Sequence, residues 1–228
     1  MGKLGAFAPE TRNWLLNNFA LGTKNYWFTF VADSSTALFF MGWEMLAHPQ
    51  HPASVMLALV GGCGMWSLTE YIFHRWIYHQ EDGIYGQGHR IHHTDDQAKI
   101  AMPWFMTTIT VFALWYVASQ FLRIPYFSGV MSGWLAGFVY YSLVHHSHHH
   151  WNIPNSWFRR LKAYHRIHHQ FPEYNFGVTM RFWDWAFGTR YKKTAVGPRE
   201  SEFLSELSYP ESAIPDESRE EWQLVLKS

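Results

Sequence analysis

The pentapeptide His-Arg-Ile-His-His occurs twice in this 228-residue chain, at 89–93 and at 165–169, and each copy follows a pair of long apolar segments. That repeat limits the fold more than any other feature, because it ties metal-competent clusters to the ends of helices that are too apolar for water. The apolar segments run from about Trp27 to Ala47, Ala53 to Phe73, Pro103 to Phe121 and Pro125 to Val144. Each approaches the roughly 20 residues that a helix needs to cross the hydrocarbon core of a bilayer. His48–Pro52 joins the first pair and the short stretch around Arg123 joins the second, so the segments read as two tight hairpins. Asp33, Glu44 and Glu70 interrupt the first two, which leaves a soluble bundle of unusually apolar helices as the alternative.

Charge supports the membrane reading. Only 16% of the residues are charged, against about 25% in ordinary soluble domains. Apart from Arg123, the other 17 of the 18 lysines and arginines lie at ends that share one side of this topology. The positive-inside rule then places both termini in the cytoplasm. Lysine plus arginine equals aspartate plus glutamate, 18 against 18, so there is no basic excess for nucleic acid. One cysteine, Cys63, excludes an internal disulfide and a cysteine zinc site.

The organisation follows. Residues 1–25 read as a cytoplasmic or interfacial segment without a cleavable signal peptide, with a short amphipathic helix over 9–20 on the membrane surface. Residues 26–198 form the membrane domain. Residues 199–228, with eight acids and three bases, read as a solvated cytoplasmic tail. Gly129, Gly133 and Gly137 share one face of the fourth span and let another helix approach; Gly61, Gly62 and Gly64 are candidates for the same role in the second.

All but two of the fifteen histidines fall into four clusters, which this topology puts on the cytoplasmic side. They are His74 and His79; His89, His92 and His93; His145, His146, His148, His149 and His150; and His165, His168 and His169. Residues three and four apart share a helical face, so His89, His92 and His93 are expected to converge, as are His165, His168 and His169, and His145 with His149. His74 and His79 are five apart, about 140° around an α-helix, which suits two different metals or a helix that breaks between them. His146, His148 and His150 cannot all point inward with His145 and His149. His48 and His51 read as ordinary loop residues on the opposite side. Imidazole suits zinc, copper, iron and nickel, and so many converging histidines exceed the needs of one ion, so a two-metal site is inferred. The fold class is therefore all-α integral membrane: four transmembrane helices in two hairpins, with a cytoplasmic helical cap holding a histidine-rich di-metal site.

Over about residues 65–192 the sequence resembles the membrane fatty acid hydroxylase and sterol desaturase superfamily, and within it the fatty acid 2-hydroxylases. The resemblance is carried by Glu70-Tyr-Ile-Phe-His74-Arg-Trp-Ile-Tyr-His79, by His89-x2-His92-His93, by Tyr141-x3-His145-x3-His149-His150, by Tyr164-His165-x2-His168-His169, and by a closing segment from Asn175 to Thr189. It implies a non-haem di-iron centre that uses O2 to hydroxylate an unactivated C–H bond, with zinc an alternative as isolated and no bound haem or nicotinamide. The implied ligands are His74, His79, His89, His92, His93, His145, His149, His165, His168 and His169. Tyr141, Asn175 and Asp184 match motif positions as residues behind the ligands or as structural ones.

The expected reaction is hydroxylation at C2 of a fatty acyl chain, free or in a sphingolipid. Electrons then come from a separate carrier of cytochrome b5 or ferredoxin type, and the lipid enters from the bilayer. Ser142 stands where 2-hydroxylases carry aspartate, His146 replaces a usual tyrosine, and Thr94–Lys99 lacks their basic, proline-containing run. Those departures keep a sterol or carotenoid hydroxylase or desaturase as the competing enzyme. A metal transporter is the non-enzyme alternative, although transport sites lie near the bilayer midplane rather than at one face. A di-haem electron-transfer protein would need facing histidines within the spans, and the four spans have none. The membrane is that of the endoplasmic reticulum or the bacterial inner membrane.

Overall fold

The computed structural model describes residues 9–80 and 83–192, so the acidic tail assigned to 199–228 lies outside them. All regular structure among the described residues is helical. The chain divides after His150 into two compact units.

The first unit contains α1 (Pro9–Leu15), α2 (Thr23–Ala47), α3 (Pro52–Ile72), α4 (Ile84–Thr94), α5 (Trp104–Trp115) and α6 (Phe127–His150). Three π-helical turns extend these elements: Leu16–Ala20 after α1, Phe73–Tyr78 after α3 and Tyr116–Phe121 after α5. With its π turn, the α3 helix runs from Pro52 to Tyr78; it and α6 are long and apolar enough to cross a bilayer. Their outer faces, and those of α2 and α5, expose large apolar side chains such as Leu38, Leu46, Leu57 and Phe121. A soluble surface rarely carries so much contiguous apolar area.

Helix α6 is central, packed on one side by α3 and on the other by α2, with α5 against α2. Glycine permits the α3–α6 contact. A Cβ built on Gly62 would run into the Val130 carbonyl, one on Gly133 into the Leu59 carbonyl, and one on Gly137 into the Trp66 side chain. Gly61 and Gly64 face open space, so only the middle glycine of that trio serves packing. Gly133→Leu is expected to lower the thermal unfolding midpoint sharply, because a backbone carbonyl cannot yield as a side chain can. Gly64→Ala should leave it unchanged or raise it, since alanine favours helix and meets nothing. Tryptophan-fluorescence melts in detergent would compare the two.

On the other side, Phe40, Ala37, Val111, Met131 and Leu135 form a buried apolar cluster. Ser132 donates to the Ala37 carbonyl at 2.8 Å. Asn25 ties the start of α2 to the start of α5: its amide donates to the Met102 carbonyl at 3.1 Å, and its carbonyl caps the Trp104 N–H at 3.2 Å. At the far end, the Glu44 carboxylate accepts from the Gly129 N–H at 2.9 Å and pairs with His48 Nδ1 at 2.6 Å. His48, expected to be an ordinary loop residue, is thus half of a pair that holds α2 to the first turn of α6. The segment expected to lie on the membrane surface buries Leu15, Leu16 and Ala20 against Ile84 inside the protein.

The second unit contains α7 (Ser156–Gln170) and α8 (Phe182–Ala186). Asn155 caps α7 by accepting from the Trp157 and Phe158 N–H groups at 2.9 and 3.1 Å. The buried face of α7 carries Phe158, Leu161, Tyr164 and Ile167, and His165 and His168 lie on it too.

Candidate metal centre

A π-helical turn builds the first histidine group. An α-helix through 74–79 would point the two imidazoles apart, but the π turn over Phe73–Tyr78 bonds residues five apart and stacks them. The His74 and His79 rings lie 5.4 Å apart and only 22° from parallel. Both point at His89: its Nε2 lies 3.2 Å from His74 Nε2 and 3.2 Å from His79 Nε2. His93, one turn further along α4, puts its Nε2 3.0 Å from the same atom. The ligand atoms of these four residues all lie within 4.8 Å of one another. Gly86 allows the loop to turn so tightly, since a Cβ there would run into the Gln80 carbonyl.

His92 belongs elsewhere. The expectation that His89, His92 and His93 converge fails because adjacent residues on a helix differ by about 100°. The His92 ring lies 4.5 Å from that of His145 and 4.5 Å from that of His149, on α6. Ligand atoms of these three also lie within 4.8 Å of one another. The first unit therefore gathers seven of the ten expected ligands into two groups. Imidazoles sharing an ion at about 2.0–2.1 Å place their nitrogens about 3 Å apart, which the separations in the first group match. The donor set thus fits two imidazole-seeking transition-metal ions.

In the second unit the repeated pentapeptide adopts the same local geometry. His165 and His169 bring their Nε2 atoms to 3.2 Å, whereas the His168 ring lies 5.9 Å from that of His165. His168 Nδ1 donates to the Tyr174 carbonyl at 2.7 Å, which leaves Nε2 as the nitrogen with a lone pair. The segment that presents Tyr174 is pinned by its neighbours. Asn175, in the left-handed region at φ 57°, donates to the Tyr164 carbonyl at 3.2 Å and accepts from the Tyr191 N–H at 2.8 Å. Asp184 is fully buried and accepts from Phe176 N–H, Gly177 N–H and the Thr189 hydroxyl at 2.8, 2.8 and 2.7 Å. Burial pushes its carboxyl up, and these hydrogen bonds pull the other way. Both residues hold backbone rather than ligands.

The remaining contacts sort the other candidates. Tyr141 stacks on His145, with centroids 5.8 Å apart and planes 4° from parallel. His146 turns away from the two groups and meets the Tyr26 hydroxyl through Nδ1 at 2.9 Å, with the His150 ring 4.4 Å from its own. Sequence reasoning missed Asp96, whose carboxylate lies 3.7 Å from His149 Nδ1; its place in a loop of mixed polar residues gives no periodic signal. His79 is pushed down to about 4, first by burial and then by His93, so it stays neutral at physiological pH, as ligation requires.

A cavity of about 660 Å³ opens beside these groups in the first unit. His89, His92 and His145 line one end, and Leu114, Val117 and Leu122 line positions well down α5 and beyond it. That volume lies within the usual range for small-molecule sites.

A family profile described as fatty acid hydroxylase matches residues 55–189. The chain belongs to the fatty acid hydroxylase family. The matched stretch contains both copies of the pentapeptide and all ten histidines expected as ligands. Among relatives in this family, a ceramide very long chain fatty acid hydroxylase of Schizosaccharomyces pombe is 33% identical over 155 residues, covering 60% of this chain and 44% of its own length. A dihydroceramide fatty acyl 2-hydroxylase of Arabidopsis thaliana is 28% identical, covering 63% and 64%. A fatty acid 2-hydroxylase of Rattus norvegicus is 28% identical, covering 60% and 41%. The chain thus spans less than two thirds of each of these curated relatives. A solved structure of full-length scs7p, in which only the hydroxylase domain is visible, superposes with a TM-score of 0.63 at 26% identity, covering 73% of this chain and 67% of that one.

Proposed function

We propose that this member of the fatty acid hydroxylase family is a membrane-bound lipid hydroxylase. Its target is C2 of a fatty acyl chain, free or within a sphingolipid. The observation that carries the reading is the convergence of seven imidazoles in two groups beside a cavity suited to an apolar ligand. The names of the relatives agree with it.

His74, His79, His89, His93, His92, His145 and His149 supply nitrogen donors from the first unit. His165, His168 and His169 complete the ligand set in this proposal, on the strength of the repeated pentapeptide and its matching local geometry. These imidazoles would hold two iron ions, which with electrons from a separate carrier would supply the O2 chemistry needed to oxidise an unactivated C–H bond. The protein's own part is to keep the imidazoles neutral and aimed. Burial does so for His79, and the Tyr174 carbonyl does so for His168. The Asp96 carboxylate lies 3.7 Å from His149 Nδ1 and would favour a proton on that nitrogen. The cavity holds the chain in a dry site, with the acyl head nearest the histidines. In the bilayer the four long helices form two hairpins, with termini and histidines on the cytoplasmic side of an endoplasmic reticulum or bacterial inner membrane.

Lipid mass spectrometry of cells expressing the wild type and His165→Ala tests this. A lipid heavier by one oxygen, seen only with the wild type and fragmenting to a 2-hydroxyacyl group, is the expected result. A hydroxyl on a sterol or carotenoid would overturn the acyl assignment while keeping the chemistry. An unchanged lipid profile in cells that also carry a cytochrome b5 or ferredoxin donor and a ceramide supply would overturn both.

A further inference from the structure

Asp184 points inward from α8 and is fully buried, which turns the opposite side of that helix outward. On that side Phe182, Trp185 and Phe187 are 53%, 69% and 49% exposed. Their rings belong to one patch. Phe182 lies 4.9 Å from Trp183 and 5.9 Å from Trp185, and Trp183 stacks on Phe187 at 6.1 Å. Single exposed apolar residues are ordinary, but a contiguous exposed patch marks an interaction surface. The patch has no part in the reaction proposed above: none of these four residues is a metal donor, and none lines the cavity.

The surroundings of the patch are basic. Residues 151–192 carry seven lysines and arginines against two acids, one of which is the buried Asp184. Arg181 stands immediately before α8 and sets its guanidinium over the Tyr164 ring, 5.7 Å from the centroid. Lys192, beyond the helix, is exposed. Tryptophan and phenylalanine bordered by arginine and lysine match a bilayer interface, where the rings enter the headgroup layer and the cations meet anionic lipid. The chain leads there directly. Helix α6 is long and apolar enough to cross a bilayer, and only five residues, Trp151 to Asn155, separate it from α7. A unit tethered so closely to a spanning helix meets the bilayer surface at high effective concentration.

We propose that the outer side of α8 is a membrane-docking surface, in which Phe182, Trp185 and Phe187 enter the interface of an anionic leaflet while Arg181 and Lys192 face its phosphate headgroups. The partner is the bilayer that holds the rest of the chain. Asp184 ties α8 to the Phe176 and Gly177 N–H groups, and Asn175 beside them bonds the Tyr164 carbonyl of α7. Docking of α8 therefore also steadies the helix that carries His165, His168 and His169. This rests on the membrane part of the reading above and not on its chemistry.

Ala186, exposed within the patch, is the reporter site. Ala186→Cys is made in a Cys63→Ser background, which removes the one native cysteine, and the full-length protein is labelled with the fluorophore NBD and placed in nanodiscs. Nitroxide-bearing phosphatidylcholine quenches the label from the lipid, and iodide quenches it from water. The expected result is lipid quenching at a depth of about 5–10 Å, protection from iodide, and deeper insertion when phosphatidylserine is added. Phe182→Ser combined with Trp185→Ser should move the label into water. Trp185→Phe, which keeps an aromatic ring, should not, and guards against a folding defect in the serine variant. A label quenched by iodide and not by lipid overturns the docking surface. A label quenched by neither is covered by protein, residues 199–228 included, and overturns it too. A depth that phosphatidylserine leaves unchanged overturns the anionic preference. A second label at Val60→Cys, on the exposed side of α3, separates the two readings. Lipid quenching at Val60 but not at Ala186 overturns the docking surface and leaves the membrane reading standing, whereas lipid quenching at neither overturns both.

Discussion

Alanine at His89 is expected to cut product formation at least about 100-fold and to lower the metal content of the purified protein. His89 is the hub of the first histidine group: His74, His79 and His93 all bring Nε2 to within 3.0–3.2 Å of its own. Outer partners of metal ligands already cost about 10- to 100-fold when removed, and a ligand shared at the centre of the group should cost more. Elemental analysis of wild type, His89→Ala and His51→Ala, beside turnover on the same preparations, checks the assignment. His51 is exposed in the link before α3, so its alanine variant should match the wild type in both readouts. A His89→Ala protein with wild-type metal and turnover would show that the first group is not a metal site.

Much of this arrangement is legible in the sequence, because helical spacing is a strong code. The four long apolar segments are helices, and the four-residue spacings correctly pair His89 with His93, His145 with His149, and His165 with His169, whereas the three-residue spacings do not: the His92 and His168 rings lie 5.9 Å from those of His89 and His165, respectively. What spacing alone cannot show is where the helix changes pitch. His74 and His79 look splayed under the α-helical rule, and the π turn over Phe73–Tyr78 brings them together. Nor does spacing say which residue of His92-His93 faces which group, because that depends on where α6 places His145 and His149. Contacts between sequence-distant polar residues, such as Glu44 with the Gly129 N–H or Asp96 with His149, carry no local signature. The glycines divide in the same way. Gly62 and Gly64 look alike in sequence, but only Gly62 faces the α6 backbone.

Alanine at Asp184 is expected to unfold the second unit while leaving every histidine in place in the sequence. The carboxylate is fully buried and takes hydrogen bonds from two backbone N–H groups and the Thr189 hydroxyl. Removing the acceptor strands those donors, at about 1–3 kcal/mol each. A loss of that size is a large part of the 5–15 kcal/mol that typically holds a domain together. The damage should then reach the metal ligands indirectly. Without Asp184 the turn through Asn175, Phe176 and Gly177 loosens, and the adjacent Tyr174 carbonyl no longer fixes the His168 ring through Nδ1. Asp184→Asn should be milder, since its amide oxygen still accepts and its volume is unchanged. Hydrogen exchange followed by mass spectrometry reads the outcome directly. In Asp184→Ala, the amides of Phe176, Gly177 and Thr189 should lose protection together with those of α7, while α3 and α6 remain protected. Wild-type protection of α7 in that variant would show that Asp184 does not hold this segment, and that His168 is oriented by some other contact.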